Sequence, residues 1–163
     1  MDEQLLGKLE RAVGRIARAE DQDAAFGRAL DFLMEAAGAD MGAVFTPAGK
    51  SLRLTLGRNL NQTLSKKPPL LERGAWSQAT FVRTPGSTGV VVELGRLARL
   101  EGNDSWASIP IGHRDAFFGI VLVVVRDLVG FSAQALELFS IIGRVLGLTL
   151  HGIGRGPSPL RAS

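Results

Sequence analysis

Residue types that carry most enzymatic chemistry are scarce in this chain of 163 residues. It contains no Cys, which excludes thiolate catalysis, Cys-ligated zinc, iron–sulfur clusters and thioether-attached chromophores. Its two His residues, His113 and His151, leave almost no material for a histidine-based triad or a metal site. We therefore predict that the chain is not an enzyme. A small enzyme is kept only as a third alternative, because a fold does not fix a function.

Two glycine motifs resemble phosphate-binding loops but lie in the wrong context. Gly49-Lys50-Ser51 has the ending of a P-loop, yet Val44 stands where the first Gly is needed, and the residues that follow alternate like a strand. Gly152 and Gly154 come after a predicted helix rather than after a strand, which argues against a dinucleotide-binding turn. Neither motif is interpreted as a phosphate site.

The charge and hydropathy patterns favour neither nucleic acid nor membrane as a partner. The formal net charge is only +3, and two of the cations, Arg155 and Arg161, lie in the last dozen residues. A nucleic-acid surface needs clustered Lys and Arg, and here only Lys66-Lys67 are adjacent. The longest apolar run spans 116–125, whereas a membrane helix needs about 20 residues. We expect a cytoplasmic protein.

Apolar periodicity predicts helices at 3–19, at about 24–37 and from 132 to about 150. Asp21 or Asp23 is the expected cap of the second helix, Gly38 its end, and Ser132 the cap of the third. Arg11, Arg15 and Arg18 lie away from the apolar seam of the first helix. The third helix is apolar beyond one core-facing stripe, which predicts a homodimer through the two end helices. The candidate interface residues are Leu6, Leu9, Val13, Ile16, Leu138, Ile142 and Val145.

Alternating and unbroken apolar segments predict strands between the helices. A hairpin is expected at 41–56, with Leu52, Leu54 and Leu56 on one face, and a second hairpin at 106–125. A short helix near 70–79, a strand at 90–94 and a helical turn at 94–100 are predicted in the irregular middle of the chain. Gly143 and Gly147 are interpreted as positions where the third helix packs on the chain's own sheet. A close contact between two helices is the alternative.

The order of these elements resembles a GAF domain over about 21–150. The resemblance rests on the strand Trp106–Ile111, the segment Phe118–Leu122, and Phe131-Ser132 ahead of the closing helix; Ala39-Asp40 agrees more loosely. It implies an α+β fold, an antiparallel sheet of five to six strands of the PAS/GAF type, with N- and C-terminal helices on one face. A PAS-like sensor is the alternative, but it lacks the long closing helix.

The resemblance also implies a ligand pocket between the other sheet face and the 57–104 region. The candidate aromatic residues are Trp76, Phe81 and Trp106. Ser108 shares a predicted strand face with Trp106, and its hydroxyl could form a hydrogen bond with a ligand. Arg83 and Arg114 are the candidates for an ion pair with an anionic ligand.

The residues of this chain argue against most of the known ligand classes of such domains. The absence of Cys argues against a bilin and against methionine sulfoxide reductase chemistry. No Asn-Lys pair is present, so the cyclic-nucleotide signature is missing, and His113 lies in a predicted turn, which argues against heme. The expected ligand is therefore an unidentified small molecule.

Three segments are expected: an N-terminal dimerisation helix at 1–20, a GAF-like domain at 21–152, and a Gly/Pro-rich tail or linker at 153–163. The predicted function is a regulatory sensor for signal transduction, in which ligand binding rearranges dimeric terminal helices, with a fused or interacting output domain. The alternative is a ligand-free dimerisation or docking module whose own side chains fill the pocket.

Overall fold

The structure is a computed structural model that describes residues 2–60, 70–72, 81–83, 105–126 and 130–154. Its helices are α1 (Glu3–Ala17), α2 (Gln22–Ala37) and α3 (Ala133–Gly154). Its strands are β1 (Met41–Ala48), β2 (Ser51–Arg58), β3 (Leu70–Glu72), β4 (Phe81–Arg83), β5 (Ser105–His113) and β6 (Ala116–Val125). The strand predicted at 90–94, the helical turn at 94–100 and the tail from 155 onward lie outside the described residues.

The predicted helix boundaries are set by side-chain caps. Asp21 Oδ1 accepts a hydrogen bond from the Ala24 amide at 2.8 Å, and Ser132 Oγ accepts one from the Ala135 amide at 3.0 Å. Each bond satisfies an amide that has no partner inside its own helix. Gly38 ends α2 in the left-handed conformation, at φ 64°, which Gly adopts without steric cost. The caps predicted at these three positions are confirmed.

The strands form one antiparallel sheet of six, in the order β3-β2-β1-β6-β5-β4. The β1–β2 and β5–β6 hairpins predicted from the sequence are present, and β1 pairs with β6 at the centre. Gly119 of β6 has a φ of 147°, and a Cβ there would run into the Phe45 carbonyl oxygen of β1. Glycine is therefore required where the two central strands meet.

The three leucines of β2 do not share one face, contrary to the alternation in the sequence. The register between β1 and β2 shifts at Val44/Phe45, so that Leu56 lies opposite Val44 while Leu54 lies opposite Phe45. A bulge of this kind sends the residues on its two sides to opposite faces. Leu56 packs on the helix side of the sheet, and Leu52 and Leu54 pack on the other.

The helix predicted near 70–79 is wrong at its start. Residues 70–72 are a strand, β3, that pairs with β2 and sets Leu71 opposite Leu52. The local sequence favoured a helix, but pairing with an existing strand edge buries Leu71 almost completely, at 1% exposure. Residues 73–79 of that predicted helix lie outside the part of the chain that is described.

All described helices cover the same sheet face, which we call the helix face. Ala107, Ile109 and Ile111 of β5 and Val121 and Val123 of β6 pack there with buried side chains of α1, α2 and α3. This agrees with the expectation that both terminal segments lie on one side of the sheet. α1 also contacts α2 and α3, so it belongs to the same core as the rest of the domain.

Four of the seven candidate dimer-interface residues are buried in the chain's own core. Leu9, Ile16, Leu138 and Ile142 are buried between the helices and the sheet. Val13 and Val145 are half-buried against the same cluster. Leu6 is the one large candidate that stays exposed, at 45%.

α3 is a core helix that packs closely on β5. By length and composition alone it is also apolar enough to cross a membrane, a test that buried core helices pass as well. A Cβ on Gly147 would run into the Gly112 carbonyl oxygen of β5, and one on Gly143 would lie 3.3 Å from Ile109 Cγ2. The two glycines therefore allow the helix to approach its own sheet, as predicted.

Candidate functional site

The sheet face opposite the helices, which we call the distal face, is lined by a separate apolar cluster. It was predicted to lie beneath the 57–104 region, most of which falls outside the described residues. The cluster is buried to 5% exposure or less, and Leu54, Leu60 and Phe117 pack against it. Its members are Met41, Ala43, Phe45, Leu52, Leu71, Trp106, Ile120, Leu122 and Val124.

Ser108 is a buried polar residue of the distal face. Along β5 it alternates with Ala107 and Ile109, which lie on the helix face, and its register partner on β6 is Leu122 of the distal cluster. Its side chain is fully buried, and its Oγ has no hydrogen-bond partner among the residues described. A buried hydroxyl in this state costs about 1–3 kcal/mol in lost hydration.

The two other buried polar residues in the described part of the chain both make interactions. Ser105, three residues earlier on β5 and also fully buried, interacts with a partner within the chain. Thr46 Oγ1 shares a hydrogen bond with Thr55 Oγ1 across the β1–β2 hairpin. Ser108 is therefore distinguished from Ser105 by its missing partner rather than by its burial.

The backbone register brings most of the predicted ligand residues to one place. β4 pairs with β5 so that Phe81 lies opposite Ser108 and Arg83 lies opposite Trp106. The sequence placed Phe81 and Arg83 in an irregular region, whereas the structure places them in an edge strand. Trp76, the fifth candidate, lies outside the described residues.

Trp106 forms the apolar wall beside Ser108. Its side chain is 1% exposed and belongs to the distal cluster. The prediction that Trp106 and Ser108 share a strand face is confirmed by the alternation of β5. Sequence reasoning missed Ile120 and Leu122 as their neighbours, because the unbroken apolar run of β6 has no polar residue that would mark its two faces.

A shallow, open depression lies along β2, towards the opposite edge of the sheet from β4. It is lined by residues of β2 and the turn after it, including Leu54, Asn59 and Leu60. Leu54 and Leu60 also pack against the distal cluster. Asn59 holds the turn in a left-handed conformation, at φ 56°, which Asn tolerates better than most residues.

The two histidines are together, but on the helix side of the sheet. The His113 and His151 rings lie 4.7 Å apart between centroids, where the end of β5 meets the last turns of α3. Arg114, the other cationic candidate, is exposed in the β5–β6 turn. Within the described ranges no three His, Cys, Asp or Glu side chains are grouped as metal ligands. His113 is therefore not positioned at the distal face.

No protein-family model and no curated protein matches this chain. Solved structures do match. The GAF domain of an Acinetobacter phosphoenolpyruvate-protein phosphotransferase superposes with a TM-score of 0.72 at 17% identity, over 97% of this chain and 99% of that one. The chain has a GAF fold.

Further GAF structures agree with this assignment. The GAF domain/HD domain protein of Geobacter sulfurreducens matches with a TM-score of 0.70 at 15% identity, over 87% of this chain and 99% of that one. The A. aeolicus nlh2 GAF domain, solved in an inactive state, matches with a TM-score of 0.64 at 15% identity, over 90% and 98%. The predicted α+β fold and the resemblance to GAF domains are confirmed, and at these identities the likeness concerns the GAF fold alone.

Proposed function

We propose that this GAF-fold chain is a non-enzymatic sensory domain that binds a small molecule on its distal face. The observation that carries the proposal is the buried Ser108 hydroxyl, which has no partner among the described residues. A ligand with a hydrogen-bonding group satisfies it and removes the cost of its burial. Trp106 supplies apolar contact beside it, and Phe81 and Arg83 are its neighbours by register.

The proposed signal path runs through β5. The same strand carries Trp106 and Ser108 on the distal face and Ile109 and Ile111 on the helix face. α3 packs closely on this strand, with Gly147 against the Gly112 carbonyl oxygen and Gly143 beside the Ile109 side chain. A displacement of β5 by a ligand is therefore transmitted to the terminal helix, which biases the populations of two helix positions.

The cellular setting is proposed from the likeness to signalling proteins. One of the similar structures is described as a GAF domain/HD domain protein, which joins this fold to a second domain. We propose a similar arrangement for this chain, with an output domain fused to it or bound to it, in the cytoplasm. The ligand class stays open.

Native mass spectrometry of the gently purified chain tests the ligand proposal. We expect the wild-type protein to carry a bound small molecule in addition to its 17.4 kDa mass, and the Ser108→Ala variant to lose it. The matched control is Ser105→Ala on the same strand, which should keep the molecule. A bare wild-type chain, or equal retention by both variants, contradicts the proposal.

The second candidate function is a ligand-free dimerisation or docking module. Two large apolar side chains on the end helices favour it: Leu6 of α1 is 45% exposed and Leu148 of α3 is 56% exposed. Exposed leucines of this kind mark contact surfaces when they form part of a patch. Light scattering at micromolar concentration tests it, since a mass of 17.4 kDa for the wild type rejects the dimer. A dimeric wild type and a monomeric Leu148→Glu variant support it.

A further inference from the structure

The helix side of the molecule carries a cleft between α1 and α2, with a volume of about 400 Å³. It plays no part in the distal-face proposal. Three arginines line it, Arg11 and Arg15 from α1 and Arg28 from α2, and we call them the cleft arginines. Phe32 of α2 adds an apolar wall. The cleft therefore combines guanidinium groups with an aromatic ring.

The helical spacing explains why these side chains meet. Arg11 and Arg15 are four residues apart on α1, and Arg28 and Phe32 are four apart on α2, so each pair lies on one side of its helix. Arg28 Nη1 also donates a hydrogen bond to the Arg15 carbonyl oxygen at 2.6 Å. This bond fixes the Arg28 guanidinium at the boundary between the two helices.

The charges of the cleft are not balanced. Both of its carboxylates are paired with other cations: Glu35 Oε1 lies 3.9 Å from Lys8 Nζ, and Asp31 Oδ1 lies 2.9 Å from Arg58 Nε. None of the cleft arginines forms an ion pair with a carboxylate of the described residues. Like charges four residues apart on a helix repel one another, so an anion between the arginines of α1 is stabilising.

We propose that this cleft binds a small organic phosphate that carries an aromatic ring, the chemical class to which mononucleotides belong. Guanidinium groups bind phosphate oxygens through paired hydrogen bonds, and Phe32 offers a surface on which a ring packs. The volume falls in the range of small-molecule sites, about 300–1,000 Å³. The bound phosphate would join α1 to α2 and hold the N-terminal helix on the domain.

Calorimetric titration of the purified chain with three probes separates the parts of this proposal. ADP carries both ring and phosphates, pyrophosphate carries only the anion, and adenosine carries only the ring. We expect ADP to bind with a Kd below about 1 mM, pyrophosphate to bind several-fold more weakly, and adenosine to give no signal. Equal affinity for ADP and pyrophosphate overturns the ring contact, and a Kd above about 10 mM for both overturns the site.

Matched variants test whether the cleft is the place of binding. Arg15→Gln and Arg28→Gln each remove one guanidinium, and we expect each to weaken ADP binding about tenfold or more. Arg18→Gln is the control, because Arg18 is an exposed arginine at the end of the same helix that does not line the cleft. We expect it to change the affinity less than about twofold. An equal loss in the control indicates non-specific attraction and overturns the proposal.

A second measurement keeps the test valid if one variant is poorly folded. Amide chemical shifts of the wild-type domain, recorded with and without ADP, are expected to move in α1 and α2 and not in β5. Shifts confined to β5 and its neighbours place the nucleotide on the distal face and overturn the cleft proposal. Because this outcome leaves the distal-face proposal intact, the two proposals fail separately.

Discussion

Both faces of the sheet are buried, but they differ in whether their buried serine has an interaction partner. On the helix side, Ser105 of β5 is fully buried and engaged by a partner within the chain. On the distal side, Ser108 of the same strand is equally buried, and its hydroxyl has no partner within the described ranges. Such groups are rare in natural proteins and occur preferentially at functional or strained sites. The helix face therefore serves packing, and the distal face is the one that we propose binds a ligand.

Among the variants that test this comparison, we expect the largest change in stability from the leucines of α3. Leu146 is fully buried on the helix face, so Leu146→Ala should lower the free energy of unfolding by about 2–5 kcal/mol. Leu148, two residues later, is 56% exposed, and Leu148→Ala should change it by no more than about 0.5 kcal/mol. Urea denaturation measures both. Equal losses at the two positions mean that α3 is not oriented on the sheet as described.

Glycines of the same helix give the next largest contrast. Gly147→Ala drives a methyl group into the Gly112 carbonyl oxygen, and we expect a loss of about 3 kcal/mol as the helix is pushed from β5. Gly152→Ala meets no atom within 4 Å, and we expect a gain of up to about 1 kcal/mol from helix propensity. Thermal and urea unfolding compare the pair. A stabilising Gly147→Ala variant would show that the close approach of α3 to the sheet is wrong.

The cap of α3 gives a smaller effect of about 1 kcal/mol. Ser132→Ala removes the hydrogen bond from the Ala135 amide to Ser132 Oγ and leaves that amide without its cap. Ser132→Asp is the matched control, since Asp is an equally good cap and should keep the stability of the wild type. Urea midpoints measure the series. If the two variants lose equal stability, the side chain of residue 132 does not cap the helix.

The ends of the helices could be predicted from the sequence in detail, and the pairing of the edge strands could not. Caps such as Asp21 and Ser132, and the Gly38 stop, are local signals that act within one turn, so they can be identified without the fold. The strand β3 at Leu71 has no local signal, because its conformation depends on an edge supplied by β2. The seam Leu9 and Ile16 was identified as apolar, but periodicity alone cannot distinguish a core from an interface with a second copy.

The candidate site divides in the same way. Trp106 and Ser108 share a face because strand alternation is a local rule, and that much was predictable. The placement of Phe81 and Arg83 beside them depends on the β4–β5 register, which joins residues more than 20 positions apart in the chain. The sequence analysis set Arg11 and Arg15 only apart from the apolar seam of their helix, because the sequence does not tell which helix will lie opposite them.

The smallest expected effect concerns Ser108 and tests the comparison of the two faces most directly. Ser108→Ala removes a buried hydroxyl that has no partner among the described residues, so the free domain should gain about 0.5–1 kcal/mol. Ser105→Ala changes a fully buried residue that makes an interaction within the chain, and it should lose about 1 kcal/mol. Urea denaturation of the ligand-free chain measures both signs. A loss of stability in Ser108→Ala means that the hydroxyl has a partner within the folded chain. In that case Ser108 is an ordinary core residue, and the distal face no longer differs from the helix face in the property on which the binding proposal depends.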